Sequence, residues 1–226
     1  MRISRTSPNM PFYHLTNVPL APVSSYKYLG VHITCNLSWK LHVEYVINNA
    51  NRMLGYLKRN FSLAPSALKL TLYKSLVRSK LEYASSIWDP SQSNLINVLE
   101  AVQNRSARFI LGNYHRTASV SSMKITLSLP NLSLRRKVAR LCLFHKIYHA
   151  NSYLKQRLFI PPFYISRRID HHLKVGISKC NANAFLLSFV PKTSLEWNHL
   201  SASVIYIIDT QMFKNAINTL YCPEPP

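Results

Sequence analysis

The sequence predicts a mainly α-helical protein with a short β hairpin near its N-terminus. Three observations carry this reading. Apolar residues recur at three- and four-residue steps over most of the chain, glycine is scarce at 4 in 226 residues, and the 13 prolines fall mostly between the periodic stretches. A hydrophobic content of 47% suffices for one sizeable core or two small ones, so a disordered chain is not expected.

Residues 1–35 show no helical period. Within them Tyr26-Lys27-Tyr28-Leu29-Gly30-Val31-His32-Ile33 is rich in aromatic and β-branched residues and reads as a strand or hairpin, with Gly30 at a turn or bulge. Detached from a larger sheet, such a hairpin exposes unpaired edges and is expected to be poorly ordered. After Ser38, a candidate N-cap, Val43, Val46, Ile47, Ala50, Met53, Leu54 and Leu57 mark one face of a helix. Its opposite face carries Tyr45, Asn48, Asn49, Arg52, Tyr56 and Arg59.

A second helix is expected to start at Pro65, which is tolerated in a first turn, and to bury Leu68, Leu72, Leu76 and Val77 before Asp89-Pro90. A third runs from about Ser93 to Leu111 through Leu95, Val98, Leu99, Val102, Phe109 and Ile110, with Gly112 and Asn113 as its C-terminal cap. A fourth follows Pro130, with Ser133 as cap, through Leu134, Val138, Leu141, His145 and Tyr148. Its first turns carry Arg135, Arg136, Lys137 and Arg140. Cations there oppose the helix macrodipole at a few tenths of a kcal/mol each, so a bound anion is expected to offset them.

From 151 to 192 the period fades at Pro161-Pro162, Arg167-Arg168 and His171-His172, and the stretch reads as loop or linker with short elements. A hydrophobic run from Val204 to Ile208 precedes a last helix, capped by Asp209 or Thr210, through Phe213, Ala216, Ile217 and Leu220. The chain therefore divides into a hairpin segment (1–37), a helical bundle (38–112) and a helical extension (113–226) with a loop-rich part.

Lys and Arg number 28 against 8 Asp and Glu, a formal charge of +20, and a polyanion is the natural partner. The cations are interleaved with Tyr, Phe and Leu, which points to a charged folded surface rather than a basic tail. Arg52 and Arg59 lie seven apart, Lys74 and Arg78 four apart, and Arg105 and Arg108 three apart. Each spacing suits successive phosphates, although solvated helix surface explains any one pair equally well. Repetition on four helices favours nucleic acid.

Cys35, Cys142, Cys180 and Cys222 are too dispersed for a Cys-x-x-Cys pair or a disulfide scaffold and read as reduced, intracellular thiols. Met1 to Ser7 does not open a signal peptide, and no stretch approaches the roughly 20 apolar residues of a membrane span, so neither secretion nor a membrane partner is expected. Nucleus and cytoplasm are not distinguished. His145 and His149 lie four apart but lack a third ligand, and His171-His172 with Cys180 lacks a Cys-x-x-Cys opening, so no metal site is expected. Cys35 reads as core filling. Trp39, Trp88 and Trp197 suit either base stacking or anchoring of helix ends.

Three stretches together resemble the reverse transcriptase of non-LTR (LINE-type) retrotransposons of the sort abundant in arthropod genomes. They are Tyr26-Lys27-Tyr28-Leu29-Gly30-Val31 with the helix to Arg59; Leu72-Tyr73-Lys74-Ser75-Leu76-Val77 with Leu81-Glu82-Tyr83-Ala84, Ile87-Trp88-Asp89-Pro90, Leu99-Glu100 and Gln103-Asn104-Arg105; and Pro191-Lys192-Thr193 with Glu196-Trp197-Asn198 and Leu200. The resemblance implies that 1–37 ends the palm at the primer-grip hairpin, with Tyr28, Leu29 and Gly30 at the primer end, and that 38–112 forms the thumb. It implies RNA and DNA, as a template-primer duplex, for partners.

Polymerases of this kind clamp two metal ions between clustered aspartates. Asp89, Asp170 and Asp209 are the only aspartates, none adjacent to another and none in a Tyr-Ala-Asp-Asp type turn. The resemblance thus implies a segment downstream of that turn, without catalytic residues, cofactor or polymerase activity of its own. Magnesium belongs to the intact parent enzyme, and a palm and fingers supplied in trans would be needed for synthesis. Binding is then expected through Arg52, Arg59, Lys74, Arg78, Arg105, Arg108, Arg135, Arg136 and Arg140. A non-functional or co-opted helical protein-interaction module is the alternative.

Overall fold

The computed structural model describes residues 13–222 except 167, 169 and 180, and it is mainly helical. Two antiparallel hairpins open it, β1 (His14–Leu15) with β2 (Val18–Pro19), and β3 (Ser25–Tyr28) with β4 (Val31–Thr34). Only the second was expected. In both, the two turn residues have positive φ, Thr16 and Asn17 in the first, Leu29 and Gly30 in the second, as tight two-residue hairpin turns require. The second hairpin is held rather than isolated, because Val31 is buried in the core beside α1 (Lys40–Asn60).

Helix α1 starts two residues after Ser38, whose Oγ accepts from the Lys40 N–H at 3.3 Å, and buries Val43, Val46, Ala50, Leu54 and Leu57. The next rod is α2 (Ser66–Leu72), a π-helical turn (Tyr73–Arg78) and α3 (Ser79–Glu82), entered through Pro65. Here the expected face is displaced. Val77 turns inward as expected, but with Lys69, Tyr73 and Leu81, while Leu68 and Leu76 are exposed. Every fourth residue drifts by about 40° along an α-helix, and the wider π turn takes that drift back. A strict four-residue spacing can then stay on one face. Inside it the Tyr73 hydroxyl donates to Gln103 Oε1 at 2.9 Å, and burial pushes its phenol well above the usual range.

Helix α4 (Ser93–Leu111) ends as the sequence predicts. Gly112 takes φ +64, its N–H reaches the Phe109 carbonyl at 3.3 Å, and the Asn113 N–H reaches the Arg108 carbonyl at 3.1 Å. After α5 (Val120–Thr126), α6 (Leu132–Ala150) begins at Asn131 rather than at Ser133. Ser133 sits inside the first turn, where its N–H donates to Glu100 Oε1 at 3.2 Å. The stretch read as loop contains α7 (Ser152–Leu158), α8 (Asn183–Leu186) and the start of α9 (Phe189–Asn198). Helix α10 (Ala202–Ile205) precedes α11 (Thr210–Tyr221), which Asp209 caps by accepting from the Met212 N–H at 2.7 Å.

Two hydrophobic cores result. The first runs from Val31 through α1, the α2–α3 rod, Trp88, α4 and α5 to Leu132, so it extends past residue 112. The second gathers Val138, Leu141 and Phe144 of α6 with Val175, Trp197, Leu200, Ile205, Phe213 and Ile217. Helix α6 enters both and joins them. Trp88 and Trp197 are fully buried, each with its indole N–H on a carbonyl, Tyr83 at 2.7 Å and Leu173 at 3.0 Å, so both act as anchors. A buried side chain of such size contributes roughly 1.5–3 kcal/mol. Among the described residues no helix is long and apolar enough to cross a membrane.

Candidate nucleic-acid interface

Helices α1 and α4 lie side by side and run parallel. Val43 and Glu44 share a shallow groove with Asn94, Leu95 and Val98, Arg105 Nη2 donates to Asn51 Oδ1 at 2.9 Å, and Lys58 stands over the Tyr114 ring at 5.8 Å. These pairs rise together along both helices, so the two C-termini share one end. The outward side near that end exposes Arg52, Arg59 and Arg105. Arg108 is half-buried, its guanidinium donating to the carbonyls of His115 at 3.1 Å and Ala118 at 3.4 Å. Lys58, Arg59 and Arg108 also fall in last turns, where cations suit the negative end of the macrodipole.

The hairpin turn forms a second exposed feature. Tyr28 and Leu29 face solvent, and the Tyr83 hydroxyl donates to the Leu29 carbonyl at 3.0 Å. A side chain at Gly30 would meet the Tyr83 ring at 3.3 Å. Beside it Lys27 Nζ donates to the Tyr45 hydroxyl at 2.9 Å and sits 4.4 Å from that ring, which lowers the Tyr45 phenol from its ordinary value. Tyr45 lies on the polar face expected for this helix, whereas Tyr83 and Lys27 carry no role in the sequence reading beyond belonging to the stretches that bear the resemblance.

Lys74, Arg78 and Arg135 are half-buried. Glu82 takes Arg78 at 3.8 Å and Arg135 in a two-pronged pair, with Arg135 Nη2 to Glu82 Oε2 at 2.9 Å. Arg136 and Arg140 correct the expectation that the basic start of α6 faces a ligand strand. Both are buried, and Arg136 Nε donates to Asp89 Oδ1 at 2.8 Å. Arg140 pairs with Asp89 Oδ2 and holds both oxygens of Glu196 at 2.7 Å, and Lys192 reaches Asp89 Oδ2 at 2.5 Å. The physical reason is the cost of unpaired buried charge, which folds these cations onto carboxylates of the same chain. Burial by itself would raise the Asp89 carboxyl, but Arg140, Lys192 and Arg136 together hold it below its usual range.

Four of the eight acids, Glu82, Asp89, Glu100 and Glu196, therefore meet the first half of α6. The anion expected at that helix start is the protein's own. The other two aspartates are committed too, Asp170 to Lys174 Nζ at 2.7 Å and Asp209 to its cap. The His145 and His149 rings lie 4.6 Å apart and tilted at 43°, with His145 Nε2 2.6 Å from the Ile207 carbonyl oxygen, and Cys180 lies outside the described residues. Among the described residues no three His, Cys, Asp or Glu side chains are placed to hold a metal ion.

Comparison with known proteins relates part of this chain to a transposon polymerase. A stretch of 108 residues, 45% of the chain, is 28% identical to a probable RNA-directed DNA polymerase from transposon X-element of Drosophila melanogaster. A stretch of 72 residues, 32% of the chain, is 32% identical to an uncharacterised protein of Caenorhabditis elegans. The matched parts span 12% and 36% of those two relatives. No family model and no solved structure matches.

Proposed function

We propose that this chain is a reverse-transcriptase-derived segment of a transposable element that grips RNA or DNA, as template-primer duplex, without sequence preference and without polymerising by itself. The observation that carries the reading is the division of charge. Half of the acids are sunk around α6, while Arg52, Arg59 and Arg105 stand outward on adjoining parallel helices with no acidic partner among the described residues. A surface of that kind attracts a phosphate backbone and displaces its counterions. The resemblance adds the hairpin turn, where Tyr28, Leu29 and Gly30 would meet a primer end, braced by Tyr83.

The absence of polymerisation rests on the three aspartates, each engaged in a structural contact away from the others. The test is binding of the purified protein to a fluorescent RNA–DNA hybrid at several salt concentrations, with a nucleotide-incorporation assay alongside. Affinity is expected to fall steeply with salt and incorporation to be nil. Salt-independent binding overturns the first half of the reading, and incorporation by this chain alone overturns the second. A protein-interaction module, the other reading, draws on the open apolar groove where Ile47 and Val98 line α1 and α4, and it expects partner binding to survive reversal of Arg52, Arg59 and Arg105.

A further inference from the structure

The loop after α7 carries a short motif that neither the cores nor the outward arginines use. Phe159 stacks on Phe144 of the second core at 4.2 Å between ring centres, and the chain then runs out through Ile160-Pro161-Pro162-Phe163-Tyr164. Each proline locks its own φ and pushes the residue before it out of the helical region, so the run begins in the extended polyproline form. Pro161 is exposed, Phe163 stands wholly in solvent and Tyr164 is 70% exposed.

The run is mounted rather than loose. At its start the Gly176 N–H donates to the Ile160 carbonyl at 2.7 Å, an antiparallel bridge so close that a side chain at Gly176 would lie 2.5 Å from the Pro161 carbonyl oxygen. Val175, next to that bridge, is buried and exchanges two bonds with Asn198 of α9, its N–H to Oδ1 at 2.9 Å and its carbonyl from Nδ2 at 2.8 Å. Past its far end Asp170 Oδ2 accepts from the Ser166 N–H and from Lys174 Nζ, both at 2.7 Å. Both ends are thus tied to a segment that the second core holds, and the rings between them are left to water.

Residues three apart in polyproline conformation share one edge, about 9 Å from each other. Pro161 and Tyr164 have that spacing. Proline rings have no N–H to satisfy and lie flat against aromatic side chains, while a tyrosine offers an apolar body and a polar tip to an adjoining pocket. A surface that reads Pro-x-x-Pro would need a proline where Tyr164 stands. A loop that stacks on bases or seats in lipid would use the two aromatic rings, Phe163 most of all, and has no need of two prolines in fixed register before them.

We propose that the run 160–164 is a docking motif for a WW-type domain, a small partner that reads Pro161-Pro162 against its aromatic groove and takes Tyr164 in a neighbouring pocket. Fixing the run in advance lowers the ordering cost of that encounter. The motif stands on the second core, whereas Arg52, Arg59 and Arg105 stand on helices of the first, so their reversal leaves it intact and its failure leaves strand binding untouched.

The test is calorimetric titration of the full chain with a purified WW domain of the type that accepts Pro-Pro-x-Tyr peptides, with an SH3 domain, anionic lipid vesicles and single-stranded RNA alongside. The WW domain is expected to bind the full chain at least as tightly as it binds a free peptide of residues 158–168. Tyr164→Ala is expected to weaken that binding about tenfold or more with no loss of melting temperature, because the ring is exposed. Phe163→Ala is expected to leave it within about twofold, since a ring at the unread position adds little. No binding of the full chain at about 1 mM domain, or a free peptide that binds where the full chain does not, would overturn the proposal. So would equal binding by the SH3 domain, or equal losses in Phe163→Ala and Tyr164→Ala. Binding to vesicles or RNA that falls in Phe163→Ala while the WW domain does not bind reassigns the loop to lipid or to bases.

Discussion

Arg136 Nε donates to Asp89 Oδ1 at 2.8 Å, with the guanidinium wholly buried between the two cores and the carboxylate shared with Arg140 and Lys192. Asp89 belongs to the stretch after α3, whereas its three partners sit on α6 and α9. One carboxylate thus ties the first core to the second.

Removing that charge leaves buried cations uncompensated. Asp89→Asn is therefore expected to lower stability by about 3–5 kcal/mol, a size typical of breaking a buried ion pair from one side. Urea unfolding followed by circular dichroism measures it. A loss under 1 kcal/mol would mean that Glu196 alone keeps these cations paired.

Acid weakens the fold in two separate windows. His42 Nδ1 accepts from the His32 N–H at 3.2 Å in its neutral form, and burial, aided by His32 and Lys27, pushes its imidazole down to about 4. The unfolded chain then binds the proton first. The contribution is complete above the unfolded value near 6.5 and is lost as pH falls towards 4, about 2 kcal/mol of it between pH 7 and pH 5. His145, His149 and His171, lowered chiefly by burial, act in the same direction. Asp89 is also lowered, but as a carboxylate it gives up its contribution only below its unfolded value of about 3.9. Unfolding midpoints at pH 7 and pH 5 check the first window, and His42→Gln should flatten the difference.

Charge on the outward face acts on ligand rather than on folding. Arg52→Glu and Arg59→Glu are each expected to weaken duplex binding for all sequences alike and to reduce the logarithmic salt slope by about 1. Arg136→Met is expected to destabilise the protein, because it strands part of the Asp89 charge, while leaving that slope unchanged. Titrations at three salt concentrations separate the two. An unchanged slope in the double reversal would remove these helices from the interface.

The hairpin turn gives a local prediction. Tyr83→Phe removes the hydroxyl that the Leu29 carbonyl accepts, and the expected cost is about 0.5–1.5 kcal/mol, confined to the turn. Gly30→Ala is expected to cost more, since φ is +84 and the new methyl meets the Tyr83 ring at 3.3 Å. Amide exchange across residues 25–34 should quicken in both variants while α1 and α4 remain protected.

Local signals in the chain suffice where chemistry at one position decides the outcome. Gly112 stops α4, Asp209 starts α11, Pro65 opens the rod, and Gly30 sits in the tight turn. Of the expected face of the rod only Val77 is fully buried, because nothing local announces the π turn at Tyr73–Arg78 that keeps Lys69, Tyr73, Val77 and Leu81 inward and leaves Leu68 and Leu76 exposed. Ser133 looked like a cap, yet Glu100, 33 residues away, meets its N–H.

The basic cluster at the start of α6 shows the same limit in the candidate site. Arg135, Arg136 and Arg140 read as a surface for phosphate, and only folding brings Glu82, Asp89 and Glu196 onto them from 47 to 56 residues away. The sequence by itself determined the helical class, the element ends that one residue sets, such as Gly112 and Asp209, and the surplus of positive charge, because these follow from periodicity, backbone preference and composition. Tertiary structure decided which cations are paired inside and which face solvent, because pairing depends on distance in space, and burial drives each carboxylate to the cations that packing brings nearest.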